Sequence, residues 1–372
     1  MSDTKSIKSD LDNSKKKFDV GSWLIPIIAV LVALFIGAIL IKIQGFDPVV
    51  AYRSLFKAAF GSVEGLGVTL AKATPLVLAG LAVAIGLRAG LFNIGAQGQL
   101  LSGALAAAWA GVTFDGLPGY IHIPVALIIG AFFGSLVAAI SGLLKAYRGV
   151  HEVITTIMLN SIVMAIADYL ASGRLREPGQ FLTRTSEISE NARLPFFGSI
   201  PSGFFIAVIL GVFFWWVLGR TTSGFRIETV GRNRHAAWYS GISVKRTVVS
   251  AMIISGGIAG LGGAVETLGI TYRYEPAFNL GLGFDGITIA LLGRVHPIGI
   301  IPGAILIGGM RAGAANMQFD AGVAPEIVDL LMALILLFVT APLITRFFKN
   351  PMGYTIWRYA YAKKLGNAPG YI

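Results

Sequence analysis

Four polar constellations interrupt the apolar stretches of this chain, and each offers a chemistry. The densest reads Arg88-Ala-Gly-Leu-Phe-Asn-Ile-Gly-Ala-Gln-Gly-Gln99. Glycines at 90, 95 and 98 let backbone approach backbone. Asn93, Gln97 and Gln99 bring amides into an apolar setting, where an unpaired polar atom is costly. Such amides either line a route for a polar, uncharged solute or glue neighbouring helices by hydrogen bonds. The residues alone leave both open.

The second constellation is His151-Glu-Val-Ile-Thr-Thr-Ile-Met-Leu-Asn160. Glu152, Thr156 and Asn160 stand at i,i+4 spacing, which makes one polar stripe on a helix. That stripe faces a pore, or its threonines bond back to helix carbonyls. It is not the zinc motif His-Glu-x-x-His, because Thr155 occupies the second His position. The third is Asp285, in Gly283-Phe-Asp-Gly-Ile287. An intramembrane carboxylate faces a cavity or a partner. Asp285 can meet solute hydroxyls, couple protons, or pair with an Arg such as Arg311. Glu266 and Lys72 sit nearer the ends of their spans, where Lys72 can snorkel.

The fourth is a polar, basic loop from Arg220 to Arg246. Within it, residues 229–242 fit a short helix, with Asn233 as N-cap and Gly241 as the residue that ends it. Ala236 and Ala237 leave room for close contact, and Trp238 and Tyr239 are aromatic anchors of the interface kind. Either a partner docks there, or the helix lies on lipid with Arg232, Arg234 and Trp238 as anchors. Other chemistries are excluded. There is no Gly-x-x-x-x-Gly-Lys-Ser/Thr loop for phosphates, and the four histidines have no metal spacing. With no cysteine, thiolate sites and disulfides are impossible.

These groups must be held by membrane-spanning helices. Only 13% of the 372 residues are charged, against about 25% in a soluble domain, and the mean hydropathy is +0.73. The 47 glycines have no collagen period and suit close helix packing in lipid. Apolar segments fall at 23–43, 66–87, 94–112, 121–146, 153–171, 204–218, 248–270, 280–292, 298–312 and 327–344. At roughly 20 residues per crossing, the total is about ten spans. Residues 47–62 form an amphipathic interfacial segment. The expected organisation is a tail at 1–20, a transmembrane domain at 21–346 and a tail at 347–372.

The net charge of +11 is distributed as an orientation signal between spans, so no nucleic-acid partner is expected. With the Lys-rich N-terminus inside, Arg88, Lys145, Arg148, the loop at 220–246, Arg294 and Arg346 also fall inside. Both termini are then cytoplasmic. The Gly-interrupted starts at Gly90 and Gly281 stand in opposed halves, a faint sign of an inverted repeat.

In order along the chain, Gly90-Leu-Phe-Asn-Ile-Gly-Ala-Gln-Gly-Gln99, Glu152-Val-Ile-Thr-Thr-Ile-Met-Leu-Asn160, residues 231–242 and Gly283-Phe-Asp-Gly-Ile-Thr-Ile-Ala-Leu-Leu-Gly-Arg294 together resemble motifs of the permease subunits of bacterial ABC importers. The closest branch handles nucleosides and simple sugars, within the branched-chain amino acid/ribose-type superfamily. Gln97 departs from the Glu expected there, so no role needing a charge is carried over to it. The resemblance implies an all-α polytopic fold, a type II-like importer core of about ten helices with an inverted repeat, in a bacterial inner membrane. It implies a second permease subunit, in this branch often a different chain, two cytoplasmic ABC ATPase subunits, and an extracellular or periplasmic solute-binding protein. ATP and Mg would belong to the ATPases, and this chain would hold no cofactor and catalyse no reaction. Gly231, Asn233, Arg234, Ala236, Ala237, Tyr239 and Gly241 would form the segment an ATPase grips. Asn93, Gln97, Gln99, Thr156, Asn160 and Asp285 would line the path of an uncharged solute in an alternating-access cycle. The rival is an ion-coupled secondary transporter with Asp285 and Glu266 titrating; a second rival is a scaffold that transports nothing.

Overall fold

The computed structural model describes residues 20–276 and 281–349, with side chains described over 26–276 and 281–340. The expected tails at 1–20 and 347–372 lie almost wholly outside the described residues, as does Leu280. Thirteen helices are described: α1 (Val20–Ile43), α2 (Pro48–Phe60), α3 (Val63–Arg88), α4 (Ala96–Thr113), α5 (Gly119–Arg148), α6 (Glu152–Ser172), α7 (Ser202–Arg220), α8 (Thr222–Arg232), α9 (Arg234–Tyr239), α10 (Val244–Glu266), α11 (Leu282–Leu292), α12 (Pro297–Ala321) and α13 (Glu326–Lys349). A π turn, Thr267–Thr271, extends α10. A two-residue hairpin, β1 (Phe196–Phe197) with β2 (Ile200–Pro201), pairs antiparallel with Phe197 opposite Ile200. Among the described residues, seven helices are long and apolar enough to cross a membrane.

Sequence sorts these helices by depth. Every residue of α3 from Ala73 to Gly86 is buried, as befits a helix apolar all round. In contrast, α5 and α6 bury only one face and turn Ile128, Phe132, Ile154 and Ile162 outward. The bundle is knitted by small residues. A Cβ on Gly103 of α4 would stand 2.1 Å from the Gly260 carbonyl oxygen of α10, and one on Gly134 of α5 would stand 2.4 Å from that of Gly256. Such contacts exist only where no side chain intervenes.

One end of the bundle is basic. It gathers Arg88, Lys145, α8, α9 and the α11–α12 turn. The opposite end carries the 173–201 segment, tied down by Leu194 N–H to the Leu268 carbonyl (2.8 Å) and Thr185 N–H to that of Tyr274 (3.0 Å).

Two departures from the sequence reading have physical causes. The loop at 220–246 contains α8, capped by Thr221 through Gly224 N–H at 3.2 Å. Its short amphipathic turn structure has too few apolar residues to register as a span. Likewise α12 runs to Ala321 rather than 312, because Gly313 packs on the Leu55 carbonyl and Ser54 binds Asp320. The polar last turns are held by α2, whose Ala51, Ser54, Leu55 and Ala59 are buried while Arg53 and Lys57 stay exposed.

Candidate functional site

The α3–α4 turn is where the polar groups converge. Helix α3 ends at Arg88, and Gly90 turns the chain with φ +69°. The chain then re-enters the bundle before α4 starts at Ala96. From the basic end, α8 presses directly on this turn. A Cβ on Gly231 would stand 2.0 Å from the Arg88 carbonyl oxygen, and one on Gly90 would stand 3.0 Å from that of Gly231. Arg88 pairs with Glu228 of α8 and donates Nε–H to the Val295 carbonyl at 2.9 Å. Arg234 of α9 reaches the Gly90 carbonyl at 3.3 Å. Arg294 and Val295 hold φ +55° and +57°, costly for residues with a Cβ, so Arg88 braces a strained turn.

Behind Gly90, the amides form a closed network. Asn93 Nδ2 donates to Gln99 Oε1 and to Ser255 Oγ, each at 2.8 Å. Asn93 Oδ1 accepts from Gly95 N–H and Gln99 Nε2, each at 3.0 Å. Ser255 donates onward to the Ala82 carbonyl at 2.6 Å. One turn along, Asn160 Oδ1 accepts from Gly98 N–H at 2.8 Å, while its Nδ2 donates to the Ile94 carbonyl at 3.0 Å. Gln97 Oε1 accepts from Gly283 N–H at 2.8 Å. Asn93, Gln97 and Gln99 are each 1% exposed, so these bonds are desolvated and a missing partner would be costly.

The stripe on α6 faces the protein. Glu152, Thr156 and Asn160 are buried together with Val163, Ala167 and Ala171. Glu152 pairs with Lys145 at 2.7 Å, and Thr156 donates to the Glu152 carbonyl at 2.8 Å, the back-bonding alternative. Asp285 pairs with Arg311 at 2.5 Å, and Arg311 also lies 3.7 Å from Asp329. Glu266 is 2% exposed, and its Oε2 has no hydrogen-bond partner among the described residues.

The starts of α4 and α11 meet at mid-bundle. A Cβ on Gly283 would stand 2.3 Å from Gln97 Cα, and one on Gly286 would stand 2.8 Å from Ala79 of α3. Eleven residues at 1.5 Å give α11 a length of about 16 Å, roughly half a hydrocarbon core. It begins at the level of Gln97 and ends beside Arg88 at the basic end.

Helix α9 stands proud of the basic end. Asn233 Oδ1 caps it by accepting from His235 N–H (3.0 Å) and Ala236 N–H (3.1 Å). Gly241, at φ +78°, ends it, and Ile242 N–H closes on the Ala237 carbonyl at 2.9 Å. Ala236, Trp238 and Tyr239 are exposed, Tyr239 to 82%. Ala237 points inward against a cluster that includes Leu91, Leu218 and Val248. A partner reaching α9 would therefore meet Ala236, Trp238 and Tyr239 first, with Gly231 and Arg234 spent on the Gly90 turn. Sequence reasoning missed Ser255 and Glu228. The only signal for Ser255 was a hydroxyl just before Gly256 in an apolar span.

Residues 66–340 match the family described as "Branched-chain amino acid transport system / permease component". The guanosine ABC transporter permease protein NupP of Bacillus subtilis is 42% identical over 335 residues, covering 87% of this chain and 94% of that protein. The nucleoside ABC transporter permease protein NupB of Lactococcus lactis is 37% identical, covering 86% and 91%. The glucose ABC transporter permease protein TsgB13 of Haloferax volcanii is 33% identical, covering 89% and 90%.

Proposed function

The chain belongs to the family of branched-chain amino acid transport system permease components, and we propose on that premise that it is the membrane path of an ATP-driven nucleoside importer. It is a transport permease subunit rather than an enzyme. Two relatives with 37% identity or more are nucleoside or guanosine permeases, and the third is a glucose permease, so a nucleoside is favoured over a simple sugar. ATP and Mg would be handled by two partner ATPases at the basic end, taken as cytoplasmic. A second permease, in a heterodimer, and a solute-binding protein at the opposite face complete the proposed assembly.

The observation that carries the mechanism is the contact of α8 and α9 with the α3–α4 turn. An ATPase that moves α9 would move Gly231 and Arg234, which sit on Gly90. Gly90 is three residues from Asn93, whose bonds join α4 and α10. Displacement at the basic end thus reaches the half-helix starts at Gln97 and Gly283. In the state described, the amides of Asn93, Gln97, Gln99 and Asn160 are turned on protein partners. We assign them, with Thr156 and Asp285, to a closed path whose opening exchanges these bonds for bonds to solute. Nucleotide affects the cycle only if it binds one of the two states better.

The same reading takes α1, α3 to α7, α10 with its π turn, α11, α12 and α13 as ten crossings, which puts both termini in the cytoplasm. The meeting of the Gly90 and Gly281 segments at the bundle centre supports an inverted repeat. The ion-coupled alternative is not favoured, since these relatives are ABC transporter permeases and Asp285 is engaged by Arg311. The test is reconstitution with the partner subunits and measurement of ATP-driven nucleoside uptake. Ala236→Arg should abolish uptake while Tyr120→Ala, at the far end, leaves it intact; uptake that survives Ala236→Arg refutes the docking assignment.

A further inference from the structure

A cavity of about 570 Å³ opens beside the coupling segment, between α8, the α9–α10 turn and the first turns of α10. It is lined by Ser223 and Arg226 of α8, by Ser240 and Ser243 of the α9–α10 turn, and by Arg246, Ser250 and Ile254 along α10. Neither Arg226 nor Arg246 has an acidic partner among the described residues. The nearest acidic residue on α8, Glu228, is engaged by Arg88 and lies 3.8 Å from Arg232. The hydroxyls of Ser223 and Ser243 also make no hydrogen bond among the described residues. Two guanidinium groups and two hydroxyls therefore share one basin with no anion to answer them.

The position of the basin selects its occupant. Trp215 and Trp216, half-exposed near the end of α7, mark the level of the membrane surface. Arg226 lies ten residues beyond Trp216 in sequence, across the Thr221 cap. Ile254 lies ten residues into α10, about 15 Å along its axis, which is below that surface. The lining thus runs from two arginines to an apolar residue further along α10. A lipid spans both, with its phosphate at the arginines and a chain along α10.

We propose that this cavity binds the phosphate head group of an anionic phospholipid, one acyl chain running along α10 past Ile254. The proposal rests on the chain being a membrane permease, not on which solute it carries. A zwitterionic lipid brings its own cation against the two arginines, so the site discriminates by net charge. Because the lipid sits between α8 and α10, it braces the segment that bears α9.

The test uses native mass spectrometry of the full chain in detergent, titrated with phosphatidylglycerol, with phosphatidylcholine, or with inorganic phosphate. One phosphatidylglycerol should be retained at least tenfold more tightly than phosphatidylcholine. Arg226→Gln with Arg246→Gln should weaken it by about 25-fold, from the attraction expected per basic residue near an anionic surface. Ser250→Phe, which fills the wall and leaves both charges, should weaken retention of phosphatidylglycerol too, and it keeps the test alive if the double variant fails to fold. Arg53→Gln with Lys57→Gln, at the opposite end, should change nothing. Equal retention of the two lipids overturns the proposal, as does a preference that survives the double substitution. Inorganic phosphate binding as tightly as the lipid would make this a soluble-anion site and reject the lipid. So would protection of both arginines from guanidine-directed labelling by the ATPase subunits in lipid-free detergent, which would assign the basin to a protein contact.

Discussion

Replacing Asn93 by Leu keeps the branching and heavy-atom count of the side chain and deletes four hydrogen bonds, two to Gln99 and one each to Ser255 and Gly95. At about 0.6 kcal/mol each, the mean between membrane helices, the loss is about 2.4 kcal/mol. At about 1 kcal/mol each, the mean in soluble proteins, it is about 4 kcal/mol. The expected destabilisation is therefore about 3 kcal/mol. The decisive part is the second substitution. Gln99→Leu alone loses two bonds, both to Asn93. In Asn93→Leu with Gln99→Leu the amides that were left without partners are gone. The double variant should then be less destabilised than the sum of the singles by about 1 to 2 kcal/mol. Equilibrium unfolding in mixed micelles, followed through the six tryptophans, measures all four species. Additivity of the two substitutions, or a single variant as stable as the wild type, would refute the network. In the latter case the amides would be free to serve solute alone.

Three more perturbations probe other levels. Gly231→Ala drives a Cβ to 2.0 Å from the Arg88 carbonyl oxygen; the assembled complex should still hydrolyse ATP while nucleoside uptake falls at least tenfold, and tightly coupled uptake would contradict the contact. Gly103→Leu, whose Cβ would meet the Gly260 carbonyl at 2.1 Å, should collapse the yield of folded, monodisperse protein, whereas Gly116→Leu, with nothing within 4 Å, should not; size-exclusion chromatography reads both. Burial, and then the charge of Arg88, hold the His296 imidazole below its ordinary 6.5. As pH falls, the unfolded chain takes up that proton first, so the contribution present above about pH 6.5 is lost on acidification. Unfolding midpoints between pH 8 and 5 should fall less steeply in His296→Gln.

Much of the fold was legible because lipid imposes simple rules. Runs of apolar residues at 23–43, 121–146 and 153–171 lie within α1, α5 and α6 to within a few residues. Asn233 and Gly241 announced α9, since capping is a local chemistry. The pairing of Asp285 with Arg311 was one of the alternatives open, because a carboxylate at that depth needs a partner. What was not legible depends on long-range contact. Glu228 of α8 meets Arg88 across 140 positions, and Ser255 meets Asn93 across 162. The half-depth of α11 is another case. Its eleven mostly apolar residues look like a short span until Gly283 is found against Gln97 rather than at a membrane surface. The direction in which each amide points was equally hidden, since the same Asn93 could face a pore or Gln99.

The central claim is that α9 is the cytoplasmic handle by which a partner ATPase works the bundle. The native chain has no cysteine, so Tyr239→Cys introduces one thiol at an exposed position of α9. Its reaction with a membrane-impermeant maleimide should be absent in sealed, right-side-out vesicles and rapid after permeabilisation. It should slow again when the ATPase subunits are bound. Labelling of the sealed vesicles, or a rate indifferent to the ATPases, would contradict the account.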